Sequence, residues 1–215
     1  QTDTEYWNSA YTLVREASKF IDLIHQQTDK LTQAVLDNWA GEAHCARAFV
    51  YFSLAKRYGG VPLVKEAIDY PNVSIEEMHL KRNSEEEIWD YVKDEFDVAI
   101  SLLPEDAAAR GRANKYAAAG IKARAMLYAG CVAKYNDAEQ YLYEDNRRTC
   151  GMPRERAKDF FAEAYKAASM VQKSNKYWLY KEGWDATDKE KQYKNYVDLF
   201  FDAGSSENIL VKQYL

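Results

Sequence analysis

The sequence predicts an all-α protein made of antiparallel helix pairs of the tetratricopeptide kind, with long loops and little strand. Three observations carry this reading. Apolar residues recur at three- and four-residue spacing through most of the chain, the period of a helix with one face on a core. Capping and stop signals bracket those runs. With 9 Gly and 4 Pro in 215 residues, turn-formers are too few for an all-β sandwich, whose turns recur every ~8–12 residues. The helical runs are spaced ~30–45 residues apart, as in helical-repeat scaffolds.

The first helix shows Trp7, Tyr11, Val14, Ala17, Ile21 and Ile24 on one face, with Thr2 and Glu5 as a capping box ahead of it. A second begins near Thr28 or Asp29 and runs to Tyr58, with Leu31, Val35, Asn38, Glu42, Cys45, Phe49 and Phe52 as its inward stripe. Gly59-Gly60 supply the conformations that end it, and Val61 before Pro62 leaves extended. Residues 65–83 read as a surface loop. Ser84 and Glu87 then form a capping box for a helix carrying Ile88, Val92, Phe96, Ala99, Ile100 and Leu103, which Pro104 terminates. Its other face (Glu86, Asp90, Lys93, Asp94, Asp97) reads as solvated charge. An alanine-rich helix from Asn114 to Lys134 presents Ala118, Ile121, Ala125, Tyr128 and Val132, small enough in sum for a neighbour to approach closely. Residues 135–153 read as a second long loop. Pro153 starts a helix with Phe160, Ala164, Ala167 and Val171 inside, ending at Asn175. The stretch 176–204 is aromatic and polar without period, and Asn208 to Tyr214 reads as a short extended segment.

Composition excludes several function classes. Lys and Arg number 29 against 34 Asp and Glu, a net charge of −5, which opposes the basic surface that phosphate neutralisation requires. No apolar run approaches the ~18 residues of a membrane span, and Gln1 does not open a signal peptide. Cys45, Cys131 and Cys150 have neither metal-site nor framework spacing; buried thiols and a Cys131–Cys150 bridge both stay open. His25, His44 and His79 are scattered, so core or solvated positions suit them better than metal ligation. Glu85-Glu86-Glu87 opens a helix, where the dipole favours negative charge. No nucleotide-binding or nucleophile motif occurs. The expectation is a protein that is not an enzyme, with no catalytic residue, cofactor or metal.

What remains is an aromatic surplus: 14% of residues, including 17 Tyr and 5 Trp. Rings in helical stripes read as core. Tyr70, Tyr141, Tyr143, Trp184, Tyr193 and Tyr196 lie where no stripe demands them. Such rings either tie loops to the scaffold or offer platforms for apolar sugar faces and peptide side chains.

Residues 41–64 read GEAHCARAFVYFSLAKRYGGVPLV, which resembles the SusD/RagB family. The family features are Gly41-Glu42-Ala43, Arg47-Ala48-Phe49 and Tyr58 through Leu63. Further similar stretches follow in order: Arg82 to Trp89, Asp97 to Pro104, Gly111 to Lys115 with Ala117-Ala118 and Lys122-Ala123-Arg124, then Leu199-Phe200 and Ser206 to Leu210. Asn114 stands where the family usually has Thr; both cap helices.

The resemblance implies a cell-surface nutrient-binding protein that binds glycans or oligosaccharides and delivers them to a SusC-like TonB-dependent transporter. It would sit at the outer membrane as a lipoprotein, its lipid anchor preceding Gln1. It also implies that residues 1–215 form a single SusD-like helical-repeat domain, the N-terminal portion of a longer protein. Alternatives are a peptide-binding RagB-like member and a purely protein–protein helical-repeat module; a two-carboxylate glycoside hydrolase is a weaker rival, since no carboxylate pair singles itself out. The family motifs are structural and hand over no ligand residues. The candidate ligand contacts are Asp69, Tyr70 and Asn72 in the first long loop and Trp184 in the later aperiodic segment.

Overall fold

The computed structural model describes residues 3–66, 72–136, 141–142, 145–202 and 204–211. In chain order these form α1 (Asp3–Ile24), α2 (Gln33–Tyr58), α3 (Ile75–Met78), α4 (Glu85–Leu102), α5 (Lys115–Tyr135), β1 (Tyr141–Leu142), β2 (Arg148–Cys150), α6 (Arg156–Lys173) and α7 (Lys189–Phe201). The all-α expectation holds.

Packing is sequential: α1 on α2, α2 on α4, α4 on α5, α5 on α6. Each step is antiparallel. Trp7 at the start of α1 meets Tyr58 at the end of α2 with ring centroids 5.0 Å apart, while Ile24 packs with Leu36 and Ala40 at the opposite ends. Along α2 and α4, Gly41 faces Leu102 and Leu103, Arg47 faces Glu95, and Phe52 faces Trp89. Asp97 pairs with Lys122, and Trp89 with Tyr128, across α4 and α5. Between α5 and α6, a Cβ on Gly130 would stand 2.5 Å from the Phe161 ring, so only a missing side chain permits this helix spacing. Trp89, Tyr51, Phe96 and Phe160 are the largest apolar side chains buried in the resulting core.

Several expectations are corrected. Helix α2 buries a wider band than the single expected stripe, including Ala40, Gly41, Arg47, Ala48, Tyr51, Leu54 and Ala55, because α1 and α4 flank it on two sides; Phe49 stays half-exposed. On α5, Tyr128 is also partly exposed, whereas Met126 and Ala129 are buried. The outer charges of α4 are not merely solvated. Arg156 of α6 binds Glu86 and Asp90, its Nη2 donating to Asp90 Oδ1 at 2.5 Å. Lys122, almost fully buried, donates to Asp97 Oδ1 at 2.7 Å and also pairs with Glu163, tying α5 to both neighbours.

The expected loop 135–153 contains an antiparallel hairpin, β1 pairing with β2. Strands of two and three residues are too short to show alternation. Its anchor is the glycine pair: Gly60 N donates to Thr149 O at 2.8 Å, and Gly59 has φ +68°. Cβ atoms on Gly59 and Gly60 would lie 2.3 Å from Thr149 O and 2.1 Å from Asn83 O. The glycines therefore do more than end a helix; they let three segments converge. Glu85 completes the junction, accepting from Gly151 N at 2.6 Å and from Trp89 Nε1 at 3.1 Å. Burial raises its carboxyl pKa, opposed by those two hydrogen bonds.

Within the expected loop 65–83 lies the single-turn helix α3, and the aperiodic stretch 176–204 contains α7. The side chain of Asp188 caps α7, accepting from Glu190 N at 3.0 Å and Lys191 N at 3.2 Å. Helix α6 starts at Arg156 rather than Pro153. No strand forms over 208–211, and the rest of that expected segment, like the Thr2 cap, lies outside the described residues. Cys45, Cys131 and Cys150 are free thiols, so the Cys131–Cys150 bridge is not formed.

Candidate functional site

The connection between α4 and α5 shapes a groove against α1 and α2. Pro104 ends α4, Gly111 turns the loop with φ +85°, and Asn114 starts α5 by accepting from Ala117 N at 2.8 Å. The Asn114 amide also donates to Glu105 O at 3.1 Å and Tyr177 Oη at 3.0 Å, closing the loop onto the segment after α6. Thus fixed, the loop projects Arg112 across α2. Arg112 Nε donates to Glu42 Oε1 at 2.9 Å while Nη2 engages Oε2, a two-pronged pair. That hydrogen bonding, with the carboxylate's charge, raises the Arg112 pKa. Being half-exposed, the pair adds little stability; its value is to hold two planar charged groups in a set orientation.

On one side of this pair lies a groove of about 640 Å³, lined by Phe20 of α1, Trp39, Glu42 and Ala43 of α2, and Ala108, Ala109 and Arg112 of the loop. Trp39 keeps 38% of its surface exposed and Phe20 41%. On the other side, Cys45, Phe49, Ile121 and Leu210 line a more apolar hollow of about 330 Å³. Aromatic faces beside fixed hydrogen-bonding groups make an arrangement that can stack on an apolar sugar face and bond its hydroxyls.

A second charged cluster is structural. Arg47 donates from Nε to Glu95 Oε2 at 2.7 Å, from Nη2 to Glu95 Oε1 at 2.8 Å, and from Nη1 to Ser18 Oγ and Lys65 O at 2.9 Å. His44 Nδ1 lies 3.0 Å from Glu95 Oε2. Burial would raise the Glu95 carboxyl pKa, but hydrogen bonds with His44 and Arg47 and the guanidinium charge outweigh it and hold it below the ordinary value. Although Glu42 and Arg47 both lie on α2, their side chains serve different neighbours, Arg112 and Glu95.

The sequence-derived contacts do not converge on the groove. Asp69 and Tyr70 lie outside the described residues. Asn72 is exposed in the turn before α3 and has an interaction partner. Trp184 is 46% exposed in the segment before α7, with Lys181 Nζ 5.5 Å from its ring centroid. Trp39 and Phe20 escaped notice because they sit on otherwise ordinary helices. The available signal was that Trp39 lies three residues before Glu42, on the same side of α2, off the face that buries Ala40 and Ala48. Among the described residues no group of three or more His, Cys, Asp and Glu side chains is placed to hold a metal ion, and no helix is long and apolar enough to cross a membrane.

Known proteins resemble this chain in sequence and in fold. A SusD-like family model, described as starch-binding associating with outer membrane, matches residues 1–127. SusD-like protein P2 of Formosa agariphila is 23% identical over 147 residues, covering 66% of this chain and 27% of that protein. A SusD-like protein from Bacteroides fragilis superposes over 99% of this chain with a TM-score of 0.72 and 25% identity, over 34% of its own length. A protein crystallised with xylogluco-oligosaccharide gives 0.67 at 21% identity, covering 99% of this chain and 35% of that one. The chain thus spans about a third of the length of the solved relatives.

Proposed function

Because this chain belongs to the SusD-like family, described as starch-binding and associating with the outer membrane, we propose that its protein is a surface nutrient-binding component. It binds an oligosaccharide and delivers it to a SusC-like TonB-dependent transporter. In this reading it acts at the outer-membrane surface, held by a lipid anchor upstream of Gln1, and catalyses no reaction on the glycan. The family match is the observation that carries the proposal. The groove of Phe20, Trp39, Glu42 and Arg112 supports it physically: stacking supplies contact area at low entropic cost, and the oriented charged pair supplies hydroxyl recognition.

Ligand contacts are assigned first to Trp39 and Arg112. Asp69, Tyr70, Asn72 and Trp184 form a second group, separable from the first by substitution. Calorimetric titration with malto-oligosaccharides, xylogluco-oligosaccharides and oligopeptides tests the ligand class. Saturable heat with one of the glycans and none with peptides is the expected result; heat with peptides alone contradicts it. Co-purification of the membrane-embedded transporter with the tagged protein tests delivery, and its absence under gentle detergent extraction counts against that part.

A further inference from the structure

The end of the bundle where α5 begins and α6 finishes holds a second concavity, and it is basic. Lys115 opens α5, while Lys166 and Lys173 lie about two turns apart on α6. All three line one hollow of about 620 Å³. Glu105 is the one carboxylate on its wall, and it is already engaged. Lys176 Nζ stands 3.4 Å from Glu105 Oε2, and the Tyr116 hydroxyl donates to the same side chain. Lys166 reaches Glu163 at 3.8 Å, but Glu163 is held more closely by Lys122. Among the described residues, Lys115 and Lys173 have no carboxylate partner.

Three lysines beside one neutralised carboxylate leave a local surplus of positive charge, on a chain whose net charge is −5. Ammonium groups gathered in this way repel one another, and an anion lying among them relieves the repulsion. The floor beneath them is fixed. Tyr116 is 6% exposed, meets the Tyr177 ring edge to face at 5.9 Å, and has Lys176 Nζ 5.7 Å from its centroid. Asn114 in turn donates to Tyr177 Oη and Glu105 O, so the floor is tied to the start of α5. At the rim Tyr165 is 78% exposed, a ring face beside the cations, and Ser169 adds a hydroxyl to the same wall.

We infer that this hollow is a second saccharide site, for an oligosaccharide that carries anionic groups, a uronate carboxylate or a sulfate ester. Lysines supply charge-assisted hydrogen bonds to the anion, and the exposed tyrosine supplies a stacking face for the sugar ring. A saccharide fits better than other polyanions. A nucleic-acid duplex or an anionic bilayer is met by a broad basic face, which a chain with 34 Asp and Glu against 29 Lys and Arg does not offer. The hollow shares no lining residue with the Trp39 groove. It therefore stands or falls separately from neutral-glycan binding there.

Calorimetric titration of the protein with trigalacturonate and with a sulfated oligosaccharide, against maltotriose as the uncharged control, tests the site. Saturable binding of at least one anionic oligosaccharide is expected. It should weaken between about 0.1 and 1 M salt, as the screening length falls from ~10 to ~3 Å. Lys115→Gln combined with Lys173→Gln should weaken it about tenfold. Lys134→Gln combined with Lys158→Gln, the same loss of charge at the other end of α5 and α6, should leave it within about twofold of the parent. Flat titrations with both anionic sugars overturn the inference, as does an equal loss in the two lysine pairs. Inorganic sulfate binding as tightly as the sulfated sugar overturns the saccharide assignment, and so does binding to phosphatidylglycerol vesicles with none to the oligosaccharides. Because the substituted lysines lie outside the Trp39 groove, each of these failures leaves the proposed function to its own test.

Discussion

From α1 to α6, large aromatic rings are set by helical neighbours. Trp89, Tyr51 and Phe96 are fully buried, and Trp7, Tyr58, Phe52 and Tyr128 meet one another edge to face or tilted. After Lys173 the same residue types stand outward: Trp178, Trp184, Tyr193, Tyr196, Phe200 and Phe201 are all exposed. Composition does not distinguish the two regions. The difference lies in what the helices rest on. Each of α1, α2, α4, α5 and α6 has an antiparallel neighbour that takes its apolar face, whereas α7 is held through Asn195 and Gln192. Ring burial on a helix thus depends on the neighbour that takes its apolar face.

The sharpest way to break this contrast is inside the packed region. Arg47→Ala leaves the buried Glu95 carboxylate with His44 as its remaining partner and should cost about 3–5 kcal/mol in chemical denaturation. If the cluster were merely decorative, the loss would fall below about 1 kcal/mol. Gly60→Ala forces a Cβ onto Asn83 O at the junction of α2 and the hairpin, and a loss of about 2–3 kcal/mol is expected. Circular dichroism melts of that variant check it.

Acid provides a gentler probe of the same region. Glu95 and Glu163 have carboxyl pKa values held below the ordinary range, Glu95 despite burial and Glu163 chiefly by its hydrogen bond from Lys122. Their stabilisation is fully present above the unfolded-state pKa of about 4.3 and is lost as pH falls through the lower folded values. Denaturant midpoints should therefore drop on acidification below about pH 4.5, and less so in Glu95→Gln. Buried Glu85 is shifted upward and opposes this trend. Smallest of all, Tyr193→Ser on the open face of α7 should change the stability of the 215-residue chain by no more than about 0.5 kcal/mol.

Much of the scaffold was legible because its packing uses the simplest code. The stripes of α1, α4 and α6, the Ser84–Glu87 capping box and the Asn114 cap all appear in the structure as read. Helix α7 was not legible, because its inward side is Gln192 and Asn195, so no apolar period marks the buried face. The hairpin was hidden by strands too short to alternate. At the site, local spacing is silent: nothing around Glu42 on α2 signals that it is claimed by Arg112, seventy residues away in sequence. Long-range pairing of this kind leaves no local signature. Two family-like strings, Gly41-Glu42-Ala43 and Gly111-Arg112-Ala113, meet through that pair, which the sequence offers only as separate motifs.

Oligosaccharide binding at the Trp39 groove is best tested by titrating the protein and its Trp39→Ala variant with the glycan that gives saturable heat, alongside Trp184→Ala as a control. Loss of the stacking ring should weaken binding about two- to tenfold, in keeping with the ~0.5–1.5 kcal/mol that aromatic contacts add beyond burial, and by more than Trp184→Ala does. Flat titrations across the glycan panel, or a Trp39→Ala affinity equal to the parent's, would contradict the account.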